Sequence, residues 1–185
     1  MAPPNYHWIS VEDYLILDRS SREARYEYLD GQLRMRAGES FSHSRIALNI
    51  AHLLDDQLGD GPCTTYNSDL RVCVSEDRYF YPDITVTCDE QEEEEDMIHF
   101  PRVIFEVLSP TTEVFDRGAK FAAYRACPTL EDYILVNSQN QSVEVYHREK
   151  SRWIYTPYGP GDMVEIKSLN AYLSVAAIYE KVRFK

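Results

Sequence analysis

Two carboxylates and a lysine stand out in this sequence because each acid interrupts an apolar run. Asp83 lies within residues 79–87, and Glu106 lies within residues 103–108. A carboxylate in a β-branched and aromatic run is costly to bury unless it is paired or binds a cation. Lys120 follows on a segment with helical spacing. Two such acids and a nearby lysine are the groups that metal-dependent hydrolysis of a phosphodiester needs.

The spacing of these groups indicates how they could act together. If the two runs form neighbouring strands, the Cβ atoms of Asp83 and Glu106 can lie about 5 Å apart on one face. Two like charges at that distance repel unless a cation lies between them, so we expect the pair to destabilise the metal-free fold. Oxygen ligands suit Mg²⁺ or Mn²⁺. Lys120 could then position the attacking water or offset charge in the transition state.

Helical elements are predicted from apolar residues at intervals of three and four. The first helix begins after Ser10, a plausible N-cap with Asp13 at the capping-box position. A long helix ends before Gly59. The predicted helices cover residues 8–17, 42–58, 112–126 and 171–179.

Strands are predicted from alternating or continuous apolar runs. Asp30-Gly31 lies between two alternating runs, which is a strong signal for a β-hairpin over residues 25–36. A second hairpin is expected near the C-terminus. The further predicted strands cover residues 70–74, 79–87, 103–108, 132–136, 142–147 and 152–157. This order predicts an α/β (α+β) fold, a mixed sheet flanked by helices with extra N- and C-terminal hairpins, in one domain over residues 1–185.

Size and composition narrow the class of protein. The chain has 185 residues, 44% of them hydrophobic, and no run approaches the ~20 apolar residues of a membrane span. The N-terminus lacks the basic and apolar segments of a secretory signal. The four cysteines (Cys63, Cys73, Cys88 and Cys127) form no Cys-x-x-Cys pair, so we expect reduced structural thiols in a cytoplasmic protein.

The charge is strongly negative and unevenly distributed. A net charge of -12 argues against a generic nucleic-acid coat protein, which depends on lysine and arginine facing phosphates. Residues 89–96 alone supply seven acids. The favoured interpretation of this run is a solvated, mobile loop between two strands. A mimic that occludes a cationic groove is the sharper alternative.

The order of these motifs resembles that of the Uma-type putative restriction endonuclease family, a branch of the PD-(D/E)XK nuclease superfamily once catalogued as a domain of unknown function. The resemblance runs from about residue 8 to residue 178. Its most specific part is Glu106-Val-x-Ser-Pro, followed by Asp116-Arg-x-x-Lys120 and Tyr124. The other matching motifs are residues 26–31, His43 and Pro82-Asp83.

The resemblance implies a restriction-endonuclease-like fold and a Mg²⁺- or Mn²⁺-dependent endonuclease with DNA as its substrate. It places Asp83 and Glu106 at the metal-binding acids. The parent superfamily has a lysine two positions after the second acid, where this chain has Leu108, so Lys120 would have taken over that role. Glu27 and His43 match positions that could complete the acidic pocket. Cutting both strands requires two active sites, which makes a homodimer plausible.

Each candidate also has a purely structural interpretation. Asp83 could be a turn residue at a strand edge, and Glu106 could form a structural ion pair. Lys120 could pair with Asp116 on a solvated helix face, since residues four apart share a face. Glu27 could point to water, and His43 could be a helix cap or a packed core residue.

Two other functions are compatible with the sequence. One is a nuclease-fold protein that binds DNA or a protein partner without cutting, motivated by Leu108 and the acidic surface. The other is a metal-dependent hydrolase of a small phosphate ester. Metal-dependent cleavage of plasmid that is lost in Asp83→Ala would select the endonuclease.

Overall fold

A computed structural model gives the three-dimensional structure of the chain, and it describes residues 8–36, 38, 40–89 and 96–184. The first seven residues and most of the acidic run lie outside these ranges. The interpretation of residues 89–96 as a solvated loop therefore falls largely outside the described residues. Of that run, Asp89 and Asp96 are described.

The strands form a large mixed sheet, a smaller mixed sheet and a two-stranded ribbon. The six-stranded sheet has the order β11-β10-β9-β8-β6-β3, with β8 and β9 parallel and the other pairs antiparallel. The five-stranded sheet has the order β2-β1-β5-β4-β7. The strands are β1 (Tyr26–Leu29), β2 (Gln32–Met35), β3 (Thr64–Asn67), β4 (Arg71–Ser75), β5 (Arg78–Phe80), β6 (Ile84–Thr87), β7 (Met97–Ile98), β8 (Val103–Leu108), β9 (Asp132–Asn137), β10 (Val143–Glu149), β11 (Arg152–Tyr158), β12 (Met163–Ile166) and β13 (Ala171–Ser174).

Helices pack against these sheets. The bounds are α1 (Val11–Ser20), α2 (Phe41–Leu58), α3 (Glu113–Phe115), a π turn (Asp116–Lys120), α4 (Phe121–Ala126) and α5 (Val175–Ile178), with a 3₁₀ turn at Lys167–Leu169. The Ser10 side chain accepts a hydrogen bond from the Asp13 N–H, as the capping pattern predicts. Gly59 ends α2 with a φ of +50°, a left-handed value that favours glycine.

The central strand β8 joins the two main parts of the core. Successive side chains of a strand point to opposite faces. Val103, Phe105 and Val107 therefore belong to the core cluster that includes the buried face of α2. Ile104 and Leu108 belong to the cluster that includes α4. Glu106 lies between these two on the second face, and its side chain is buried.

The mixed α+β fold, the predicted hairpins and the strand at 103–108 are confirmed. The strand predicted over residues 79–87 is wrong in one respect, because it is two strands in different sheets. β5 pairs with β1 and β4, whereas β6 pairs with β3 and β8. Residues 81–83 cross between the sheets, and Pro82, which has no N–H to donate to a ladder, lies in the crossing.

Two predicted helices also differ from those observed. Residues 171–174 form a strand paired with β12, and only Val175–Ile178 are helical. The alternating burial of Ala171 and Leu173 fits a strand better than a helix. The predicted helix over residues 112–126 is interrupted by the π turn, whose wider spacing changes the direction of its side chains.

The expectation of four reduced thiols is wrong. Cys63 and Cys88 form a disulfide, whereas Cys73 and Cys127 take no part in a disulfide. The cause lies in strand register, because Thr64 of β3 pairs with Thr87 of β6 and the two cysteines flank this pair. A separation of 25 residues hides that proximity in the sequence.

The helices within the described ranges include none long and apolar enough to cross a lipid bilayer.

Candidate active site

A cavity of about 330 Å³ lies where the two sheets meet the π turn. Its polar lining comes from elements that are far apart in the sequence: β1, the crossing between β5 and β6, β8, α2 and the π turn. The residues from these elements are Glu27, His43, Asp83, Glu106, Asp116 and Lys120. All six are buried, with relative exposures of 7% or less.

The Lys120 ammonium is the centre of an ion-pair network. Its Nζ atom lies 2.7 Å from Glu27 Oε1 and 2.8 Å from Glu106 Oε1. Asp116 Oδ1, one turn earlier, is 3.8 Å away. Burial by itself would lower the pKa of Lys120, but the charges of Glu106, Glu27 and Asp116 outweigh burial and raise the pKa above its usual range. The lysine is therefore a protonated donor in this network.

Asp83 is held by three donors at the crossing between the sheets. Its Oδ1 accepts a hydrogen bond from Arg36 at 2.8 Å, and its Oδ2 accepts one from the Val107 N–H at 2.7 Å. The Nε2 atom of His43 is 3.1 Å from the same Oδ2. Burial alone would raise the pKa of Asp83, but His43, followed by Arg36 and the Val107 N–H, holds it below its usual range.

Glu106 is a deeply buried acid on the central strand β8. Burial raises its pKa well above the usual range, and the charge of Lys120 opposes that rise only in part. The Tyr124 hydroxyl donates to Glu106 Oε1 at 3.1 Å, the oxygen that also faces Lys120. Glu106 Oε2 can therefore accept a further ligand.

Glu27 and Asp116 complete the acidic lining. Glu27 Oε1 accepts a hydrogen bond from the Tyr81 N–H at 3.2 Å in addition to its contact with Lys120. This bond ties β1 to the crossing that carries Asp83. Burial raises the pKa of Asp116, and Lys120 opposes the rise. Three carboxyl groups, those of Glu27, Glu106 and Asp116, therefore face the one ammonium of Lys120.

All five residues predicted from the sequence lie around this one cavity. Glu106 and Lys120 are in direct contact, whereas Asp83 is bound by protein donors of its own. Two of the structural interpretations are wrong. Glu27 does not point to water and Lys120 does not lie on a solvated helix face, because both side chains are buried.

Arg36 and Tyr124 contact the two central acids, but the sequence reasoning did not assign them a role. Tyr124 belongs to the motif that carries the family resemblance, so its place in that motif was a sequence signal for a role at the site. Arg36 follows β2 without any comparable signal, and only the fold brings it to Asp83.

The cavity lining is compatible with a divalent cation. Four carboxylates (Glu27, Asp83, Glu106 and Asp116) line the cavity together with three permanent cations, Arg34, Arg36 and Lys120. Such oxygen-rich, net negative linings suit Mg²⁺ or Mn²⁺. Within the described ranges, no three His, Cys, Asp or Glu side chains form a metal-binding cluster. Asp83 and Glu106 are the acids that could hold such an ion, with its other ligands drawn from water and substrate.

Comparisons with known proteins place the chain in a family. The family model Uma2, described as "Putative restriction endonuclease", matches residues 11–176. The Synechocystis sp. protein "Uncharacterized protein slr1290" is 37% identical over 179 residues, covering 95% of this chain and 94% of that protein. A second Synechocystis sp. protein, "Uncharacterized protein sll1609", is 31% identical over 153 residues, covering 80% and 86%.

A solved structure shows the same fold. It is the crystal structure of a putative nuclease belonging to DUF820 from Anabaena variabilis, with a TM-score of 0.80 and 18% sequence identity. The match covers 95% of this chain and 99% of that chain. At this identity the likeness is evidence of fold alone. Together with the family match over most of the sequence, it leads to one conclusion: the chain belongs to the Uma2 family of putative restriction endonucleases and has their nuclease-like fold.

Proposed function

We propose that this protein is a divalent-metal-dependent DNA endonuclease that hydrolyses phosphodiester bonds. The observation that carries the proposal is the buried contact between Lys120 Nζ and Glu106 Oε1, 2.8 Å, in a cavity that Asp83 also lines. Restriction-endonuclease-like families generally use divalent metals, which fits this donor set. The proposed ion is Mg²⁺, or Mn²⁺ in its place.

Asp83 and Glu106 are the proposed metal-holding residues. Asp83 ends the crossing between the sheets, and Glu106 lies on the buried central strand β8. When bound, the ion would supply Lewis acidity toward a phosphoryl oxygen and a more acidic water. His43 and Arg36 hold the Asp83 carboxylate in place through the contacts at its two oxygens.

Lys120 is the proposed positioning and charge-stabilising group. Its ammonium can donate to the attacking water or to a phosphate oxygen, where negative charge develops in the transition state. Glu27 and Asp116 keep the ammonium protonated and directed into the cavity. A role as transition-state stabiliser is therefore favoured over a role as general base.

Cleavage of supercoiled plasmid with Mg²⁺ or Mn²⁺ tests the proposal. We expect nicking or linearisation by the wild type, loss of activity with a chelator, and loss in Asp83→Ala and Glu106→Gln. Asp60→Ala is the matched control, because Asp60 is exposed on a loop outside the cavity. Cleavage that persists in both site variants would refute the assignment.

A non-cutting DNA- or protein-binding role is the second candidate. Two observations favour it: Leu108 occupies the position of the superfamily lysine, and the chain has a net charge of -12. Salt-sensitive DNA binding without cleavage under any divalent metal would select this candidate.

Three further predictions from the sequence accompany the proposal. We propose one domain over residues 1–185, and a homodimer, because cutting both strands takes two active sites. A cytoplasmic location stays a prediction. The Cys63–Cys88 disulfide removes the cysteine argument for it, since disulfides are rare in that compartment.

A further inference from the structure

A second cavity of about 980 Å³ opens beside the active-site cavity. The two share part of their lining, because Ser40, Ser138 and Gln139 border both. The second cavity continues from this shared border to the start of α2 and to the C-terminal segment at Arg183 and Phe184. If one phosphate of a polymer lies in the active-site cavity, the unit of the polymer next to that phosphate can therefore lie over the second cavity.

An exposed aromatic ring marks this second cavity. Phe41, the first residue of α2, is 98% exposed, and Phe184 across the cavity is 38% exposed. A single exposed apolar side chain needs no explanation by itself. Here two rings border the same cavity, and Arg183 adds a guanidinium beside them. Rings and guanidinium planes are the groups on which unstacked bases pack.

The cavity wall is held in place by side chains of the core. The Ser42 hydroxyl donates to the Arg183 carbonyl at 2.9 Å, which fastens the C-terminal segment to α2. The Phe184 ring lies 5.6 Å from the ring of Tyr179. The Tyr179 hydroxyl is in turn 2.8 Å from the carbonyl oxygens of Asn137 and Ser142. The C-terminal aromatic side is therefore anchored to the end of β9.

We infer that the second cavity binds the unstacked base of the nucleotide that adjoins the scissile phosphate, with Phe41 as the stacking platform. This inference rests on the proposed endonuclease function and specifies its substrate class as DNA with unpaired nucleotides. A base within a duplex has both faces stacked and offers none to Phe41. The net charge of -12 leaves little positive surface for long duplex contacts, so stacking would supply affinity that phosphate contacts do not.

Fluorescence anisotropy with two labelled probes tests the inference: a 12-nucleotide single strand and the duplex of the same sequence. The Glu106→Gln background prevents cleavage during the measurement. We expect the single strand to bind more tightly than the duplex. Adding Phe41→Ala should weaken single-strand binding about 5- to 100-fold, the scale of one base–aromatic stack, and Phe41→Trp should preserve it. Leu48→Ala, an exposed apolar residue of the same helix outside both cavities, should change nothing.

The outcomes separate this inference from the proposed function. Metal-dependent plasmid cleavage by the wild type, with no effect of Phe41→Ala on binding of either probe, would overturn the inference and leave the endonuclease intact. Phe41-dependent binding of the single strand without cleavage by the wild type would support base stacking on Phe41 and refute the catalytic proposal. Equal losses in Phe41→Ala and Leu48→Ala would also overturn the inference, because they would show a general effect on α2.

Discussion

At the scale of single residues, the site is a set of buried charges that satisfy one another. A buried ion pair is not a strong source of stability, because desolvation offsets much of the attraction. The network around Lys120 instead fixes positions: one ammonium faces Glu27 and Glu106, which belong to different sheets. The structural effect of this network is to place a cation beside two acids.

Lys120→Ala tests this placement. We expect the cleavage rate to fall roughly 10²–10⁴-fold while Mn²⁺ affinity stays nearly unchanged, because the ammonium acts on water or phosphate and not on the ion. Rates from plasmid cleavage and affinities from calorimetry provide the comparison. Lys167→Ala, which removes an exposed partner of Glu149, is the control. A loss of metal binding equal to the loss of rate would make Lys120 a structural residue of the metal site.

Removal of the lysine also leaves Glu27 and Glu106 without their partner, so the variant will be less stable. The measurement should therefore be made below its melting temperature, with circular dichroism showing a folded chain. Lys120→Arg keeps the positive charge and separates loss of charge from loss of geometry.

Asp83→Asn should destabilise the metal-free protein, contrary to what repulsion between Asp83 and Glu106 predicts. The structure pairs Asp83 with Arg36, His43 and the Val107 N–H. Loss of the charge weakens these bonds, which costs about 1–3 kcal/mol. Denaturant unfolding without metal measures this loss of stability, with Asp60→Asn as the exposed control. A more stable variant would show that the acids repel each other after all.

At the scale of elements, the π turn between α3 and α4 controls the site. It carries both Asp116 and Lys120, and both are buried. A π turn has one residue more per hydrogen-bonded turn than an α-helix, and such turns are frequent at functional sites. Because an α-helix turns about 100° per residue, a regular helix here would direct Lys120 elsewhere.

Gly118, inside the π turn, offers a test that leaves the charges untouched. A Cβ built on this residue meets no heavy atom within 4 Å. Gly118→Ala should therefore stabilise the fold by about 0.5–1 kcal/mol, because alanine loses less backbone entropy on folding. Thermal unfolding measures the gain, and cleavage should stay at the wild-type rate. A folded but inactive variant would show that the turn must flex during the reaction.

The Cys63–Cys88 disulfide joins the start of β3 to the end of β6, the strand that follows Asp83. A loop with a sequence separation of 25 residues predicts a stabilisation of about 3 kcal/mol from reduced entropy of the unfolded chain. Under oxidising conditions, Cys63→Ser should lower the free energy of unfolding by about 3 kcal/mol. The same variant should match the wild type in the presence of a thiol reductant. Equal stability without reductant would mean that the thiols are not bridged in solution.

At the scale of the whole molecule, the site connects the two larger sheets, so ligand binding is coupled to global stability. Glu27 comes from the five-stranded sheet and Glu106 from the six-stranded sheet. An ion that binds the native state alone stabilises it by RT ln(1 + [L]/Kd), about 2.7 kcal/mol at 100 times Kd.

Mn²⁺ should therefore raise the melting temperature of the wild type in a concentration-dependent manner. Glu106→Gln should lose most of this rise, because it removes one of the two proposed ligands. Differential scanning fluorimetry with matched Ca²⁺-free and chelator controls gives the measurement. An equal rise in Glu106→Gln would place the ion elsewhere on this acidic chain.

The sequence by itself determined the elements whose signals are local. Apolar spacing on α2, the Asp30-Gly31 turn and the apolar run of β8 each depend on neighbours within one element. Both turn residues have the positive φ that this hairpin needs, 48° and 88°. The family motifs likewise identified the residues of the cavity.

The tertiary structure alone decided how those elements meet. The division of residues 79–87 between two sheets and the Cys63–Cys88 bond both depend on partners distant in the chain. Leu108 is buried beside α4, whereas the ammonium of Lys120 reaches Glu106 from the π turn. Local hydrophobic periodicity fixes which residues are buried, but the partners of buried polar groups depend on long-range packing.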